Sequence, residues 1–167
     1  MSTETKKRNV VVNRVIDAPV DQVWKAWSES NYVMQWWGPT GFNCPLAAMD
    51  FREGGTSLVC MRAPKEFGGS DMYNTWTYSQ IIPLERIEFI AKFADQNGNQ
   101  IDPAEIGIPS GVPDEVRHVI TFKALNNAQT ELTVTEFGYT SDQAHDISKL
   151  DMEQCIDKMA TIFVRGR

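Results

Sequence analysis

His118 and Glu136 are the residues whose types and spacing come closest to acid–base chemistry in this chain. They fall in two alternating runs, Val116 to Ala124 and Thr130 to Gly138. Between them Leu125-Asn126-Asn127-Ala128-Gln129 carries the amides of a hairpin connection. If that hairpin pairs Phe122 with Leu132, Ile120 faces Val134 and His118 faces Glu136. Directly opposed side chains lie about 5 Å apart at Cβ. A carboxylate at that distance orients and charges an imidazole, which is the arrangement of a general acid or base. Tyr78, on another predicted strand, is the third candidate for such chemistry. A second reading stays open and is favoured: a satisfied polar pair near the open end of a sheet, since a buried charge needs a partner whether or not chemistry follows.

Other chemistries find little support. The second histidine, His145, is expected to be exposed early in a helix. Two histidines without clustered cysteines, and no HExxH, make a metal site improbable, and no cofactor motif is present. Gly54-Gly55 is hairpin chemistry, because a phosphate loop needs a following helix and a lysine. Nor do the residues suggest a Ser-His-Asp arrangement.

The elements that must position the pair follow from periodicity. Val10 to Asp17 is a β-branched run that stops at Ala18-Pro19. Val20, Val23, Trp24 and Trp27 recur at helical spacing, and a second short helix covers Tyr32 to Trp36 before Gly38-Pro39-Thr40-Gly41 ends it. Alternation then predicts strands over Phe42 to Phe51, Thr56 to Met61, Met72 to Ile82 and Leu84 to Ala94, ahead of the hairpin already described. Ser141 to Val164 reads as one long amphipathic helix with Ser141 as N-cap. Ile147, Met152, Cys155, Ile156, Met159, Ile162 and Phe163 form its apolar stripe, while Asp146, Lys149, Glu153, Asp157 and Lys158 face water. Residues 95–114 resist assignment; Pro103, Pro109 and Pro113 mix there with Gly98, Gly107 and Gly111, and so long a loop reads as a functional lid.

The fold class is therefore α+β: a seven-stranded curved antiparallel sheet, two short helices after its first strand, and a long closing helix. That helix is about 35 Å long at 1.5 Å per residue. It cannot fill the concave face of seven strands, so an internal apolar cavity is expected. Residues 1–9 are read as a frayed terminus and 10–167 as one domain.

Composition bounds the partners. The 167 residues are 42% apolar, enough for one core. A net charge of −6 argues against nucleic acid, whose phosphates need a basic stripe. Without an 18-residue apolar run no membrane span is expected, and without an apolar leader the chain reads as cytoplasmic. Cys44, Cys60 and Cys155 lack CxxC spacing and read as reduced core thiols. A homodimer is plausible, though no residue requires it.

Four segments together resemble one family: Arg14-Val15-Ile16-Asp17-Ala18-Pro19, Val23-Trp24-Lys25-Ala26-Trp27, Trp36-Trp37-Gly38-Pro39 and Met49-Asp50-Phe51-Arg52-Glu53-Gly54-Gly55. Pro83-Leu84-Glu85-Arg86-Ile87 and the helix pattern from Met152 to Met159 add to the likeness. They are similar to the activator of heat-shock protein 90 ATPase-like family, over about residues 10 to 164. The resemblance implies the helix-grip fold of the START and Bet v 1-like superfamily, whose members commonly hold a hydrophobic ligand between sheet and helix. Met152 stands where the family usually has Trp, Trp76 where a Gly is expected, and the 95–114 loop is longer than usual.

Three functions are weighed. Binding of a small hydrophobic or aromatic ligand ranks first. Its expected contacts are Trp37; Val59, Met61 and Trp76; Phe89 and Phe93; His118, Ile120 and Phe122; Val134 and Glu136; and Met152, Cys155, Ile156 and Met159 on the helix. A cyclase- or aromatase-like enzyme using His118 and Glu136 ranks second. A chaperone ATPase partner ranks third, because the family's namesake carries an additional gripping domain for which this chain has no room.

Overall fold

A computed structural model describes residues 7–164 of the chain. The first strand, β1 (Arg8–Ile16), alternates as its β-branched residues require: Val10, Val12 and Ile16 are buried, Val11 and Val15 exposed. The strand takes in Arg8 and Asn9, while residues 1–6 of the expected frayed terminus lie outside the described residues. Two short helices follow, α1 (Val20–Ser28) and α2 (Ser30–Trp36). Then come β2 (Asn43–Ala48), β3 (Thr56–Arg62), β4 (Asp71–Ile82), β5 (Arg86–Ala94), β6 (Glu115–Asn126), β7 (Gln129–Tyr139) and α3 (Asp142–Val164).

The strands form one antiparallel sheet in the order β1-β7-β6-β5-β4-β3-β2. Apart from β1, every strand pairs with its neighbour in sequence, so the sheet is a meander that β1 closes by pairing with β7. The helix-grip architecture is thus as expected, with α3 held against β1 at both ends. Arg8 reaches Asp142 at 2.5 Å, and Arg14 pairs with Asp157.

Local boundaries differ from the expected ones for visible reasons. The strand expected from Leu84 starts at Arg86, because Leu84 has φ 64° in a turn closed by Glu85 N–H to Ile82 C=O at 3.0 Å. Strand β2 stops at Ala48, short of Phe51, whose ring turns inward against Trp24 at 5.6 Å. The 95–114 segment is ordered by its own side chains. The Asp95 carboxylate accepts from the Asn97 and Asn99 amides at 2.9 and 3.0 Å, and Asp102 caps a 3-10 turn at Pro103–Ile106. Its far end is tied to the start of α3 by Thr140 N–H to Gly111 C=O at 2.9 Å and Ser141 Oγ to Ser110 C=O at 3.2 Å. Only glycine fits position 111: φ is +102°, and a Cβ there would stand 3.0 Å from the Ser141 backbone nitrogen.

Ser141 is also the N-cap of α3, its Oγ accepting from Ala144 N–H at 3.1 Å. Three helix residues depart from expectation. Ile147 is 42% exposed although it borders the cavity, and His145 is buried, its Nδ1 2.8 Å from Asp146 Oδ1. Lys158 turns from water to donate to the Gly38 and Phe42 carbonyls at 2.8 and 2.9 Å.

Candidate functional site

The sheet's concave face is filled at one end and open at the other. Aromatic residues of α1 and α2 fill the first end. Trp24 packs edge-on to Phe122 at 5.0 Å, and Trp27 to Trp36 at 4.6 Å. The Trp36 indole N–H donates to Ala26 C=O at 2.7 Å, which fixes that ring in the core. Trp37, the first residue past α2, has turned to extended backbone (φ −67°, ψ 126°) and meets Trp76 edge-on at 5.0 Å.

At the other end lies a cavity of ≈ 350 Å³ between the sheet, α3 and the 95–114 segment. Of the expected contacts, its wall holds Trp37, Met61, Trp76, Phe93, His118, Glu136, Met152 and Cys155. Val59, Phe89, Ile120, Phe122, Val134, Ile156 and Met159 are not on the wall; all are buried in the packed core instead. The reason is the tryptophan-rich pair of helices, which occupies the half of the concave face where most of these residues point. Phe89 stands directly behind the wall, stacked between Trp76 at 4.9 Å and His118 at 4.7 Å. Tyr78 is likewise off the wall, its hydroxyl 2.8 Å from Ser57 Oγ and its pKa pushed up to about 12 by burial.

The hairpin register is the one that brings the polar pair together: Phe122 opposite Leu132, Ile120 opposite Val134, His118 opposite Glu136. His118 Nε2 lies 3.2 Å from Glu136 Oε1, with both side chains more than nine-tenths buried. The other ring nitrogen, Nδ1, is 3.0 Å from the Val116 carbonyl. A carbonyl only accepts, so Nδ1 carries a proton. One further proton must then lie between Nε2 and Oε1, and the pair is neutral overall whichever atom holds it. Tyr139 donates its hydroxyl to the same Oε1 at 2.9 Å. Burial, then the Glu136 carboxylate, drives the Tyr139 pKa well up, so the phenol stays protonated. Glu136 Oε2 is buried with no hydrogen-bond partner among the described residues, and the same holds for Trp37 Nε1.

Several wall residues escape simple alternation. Tyr139 should share the outer parity of Phe137, yet it faces inward. Val10 pairs with Glu136 and Arg8 with Tyr139, so β7 carries an extra residue there, a bulge at Gly138 with φ +98°. On α3, Ala144, Ser148, Asp151 and Cys155 line the cavity at helical spacing. Two of these are polar, so an apolar stripe could not reveal them. Asp151 borders both cavity and solvent, and desolvation, then the Glu136 charge, lifts its pKa to about 6. Cys155 is pushed up to about 12 by burial, and all three cysteines are free and buried. Ile108, Pro109 and Val112 bring the 95–114 segment onto the wall. Asn74 and Met72 on β4 and Phe42 before β2 also line it.

Among the described residues no group of three or more His, Cys, Asp or Glu side chains is placed to hold a metal. No helix there is long and apolar enough to cross a membrane.

Comparison with known proteins places this geometry. Residues 17–164 match the family described as Activator of Hsp90 ATPase homolog 1-like protein. No curated protein matches the chain. Among solved structures, a crystal structure from Chromobacterium violaceum has TM-score 0.74 at 22% identity, covering 92% of this chain and 95% of the other. A solution structure from Arthrobacter aurescens has TM-score 0.74 at 21% identity, covering 99% and 90%. The AHSA1 protein from Silicibacter pomeroyi has TM-score 0.75 at 14% identity, covering 96% and 100%. At such identities the likeness is one of fold.

Proposed function

The chain belongs to the Activator of Hsp90 ATPase homolog 1-like family, and from that premise we propose that it binds a small hydrophobic or aromatic molecule between sheet and α3. The observation that carries this reading is the cavity itself. Its ≈ 350 Å³ falls in the range of small-molecule sites, and its wall is mainly apolar and aromatic with a few convergent polar groups. Residues 95–114 act as its lid, with Ile108, Pro109 and Val112 on the inner side and the Ser110–Gly111 end latched to the start of α3.

An acid–base enzyme is the weaker reading. The His118–Glu136 contact favours it, but a base needs a free lone pair within reach of substrate. Both ring nitrogens of His118 already have partners, the Val116 carbonyl and Glu136. A chaperone partner ranks behind both, because it has no support from the cavity.

Met152 supplies the test, since it lines the cavity and the sequence resemblance implies a tryptophan at its place in relatives. A neutral solvatochromic dye such as Nile red should bind the wild type with enhanced emission. Met152→Trp should fill the cavity and weaken binding by about tenfold or more, with unchanged circular dichroism. Failure of the wild type to bind, or equal binding by the variant, would count against the proposal.

A further inference from the structure

Resting on that reading, we infer that the ligand is a hydrophobic amine, its ammonium held at Glu136 and its hydrocarbon packed against the aromatic wall. The charge balance of the cavity points there. Among the described residues that line it there is no lysine or arginine; its carboxyls are Glu136 and Asp151, and its imidazole is His118. His118 and Glu136 share one proton and cancel, which leaves the Asp151 carboxylate uncompensated near neutral pH. The lift in the Asp151 pKa has Glu136 as its second cause, so the two carboxyls sense each other, and among the described lining residues only His118, already engaged by Glu136, offers them a positive charge. A carboxylate- or phosphate-bearing ligand would add to that repulsion, whereas a single positive charge removes it.

Glu136 also has an unused acceptor. Its side chain is 8% exposed and lines the cavity; Oε1 serves both His118 and Tyr139, while Oε2 has no partner among the described residues. A buried carboxylate oxygen left without a donor is costly, and a charged N–H donor is its strongest complement. The rings of Trp37, Trp76, Phe42 and Phe93 line the same space, and an aromatic ring attracts a cation brought over its face through its quadrupole. A neutral alcohol could donate to Oε2 but would leave the net charge in place.

Three probes on one ring system separate these possibilities: naphthylmethylamine, naphthylmethanol and naphthoic acid, titrated calorimetrically into the full chain near neutral pH. The amine should bind about tenfold tighter than the alcohol, and the acid more weakly than either. Glu136→Gln should erase the amine's advantage while leaving alcohol affinity within about twofold. If Glu136→Gln does not fold, Asp151→Asn, at the edge of the cavity where α3 meets solvent, should still narrow the amine–alcohol gap, and the wild-type order needs no variant. Equal binding of all three, tightest binding of the acid, or an amine preference untouched by a folded Glu136→Gln overturns the charge assignment and leaves an apolar binding cavity standing. Binding by none of the three overturns the binding reading as well.

Discussion

Asp151 shows how the cavity acts on single residues. It borders water, yet its carboxyl is lifted from the ordinary 3.8 to about 6, first by desolvation and then by Glu136. A raised acid pKa means that the folded state binds the proton more tightly than the unfolded chain. Its contribution is therefore fully present below about 3.8 and is lost as pH rises through about 6. Asp151→Asn should accordingly raise the melting temperature at neutral pH and flatten the decline between those two values. Thermal melts of both proteins across that window check it. A variant that melts below wild type at neutral pH would mean that Asp151 has a cationic partner instead. His118 teaches the complementary lesson. Alternation and a hairpin register were enough to set it against Glu136. The third member, Tyr139, was hidden because a bulge at Gly138 breaks the period of two that the reading relied on.

At the scale of elements, Lys158 joins the two halves of the grip. From α3 its ammonium donates to the carbonyls of Gly38 and Phe42, on either side of the Pro39-Thr40-Gly41 turn. Gln154 accepts from the Thr40 amide at 3.0 Å in the same region. This holds the Trp36-Trp37-Gly38-Pro39 segment so that Trp37, not Trp36, meets the cavity. Desolvation lowers the Lys158 pKa, the cost of placing an ammonium there. Lys158→Met keeps the hydrocarbon stem but leaves the carbonyls without their donor. It should destabilise the fold by about 1–3 kcal/mol, measured by urea denaturation; a loss under about 0.5 kcal/mol would show that water replaces the ammonium. A lysine amid Glu153 and Asp157 reads as solvated in sequence, since the carbonyls that draw it in lie more than a hundred residues away. The long helix, the hairpins and the strand order were legible because each rests on local period and turn chemistry. The wall of the cavity was legible only by half. Which end of the concave face the tryptophans of α1 and α2 would fill depends on how those helices dock, and no local pattern encodes that.

The whole molecule is a curved sheet with one helix too narrow to fill it, aromatic packing at one end and, at the other, a cavity bordered by the 95–114 segment. Family membership accounts for the frame, while this chain's own residues set the contents of the space: Met152 and Trp76 stand on its wall, and that wall carries no lysine or arginine among the described residues. The central claim is that this space holds a small molecule. Native mass spectrometry of protein purified gently from its host tests it most directly. The account predicts a folded species heavier than the bare chain, whose extra mass leaves on denaturation and is missing from Met152→Trp prepared in the same way. A wild-type protein of bare mass that also takes up none of the probes would contradict it.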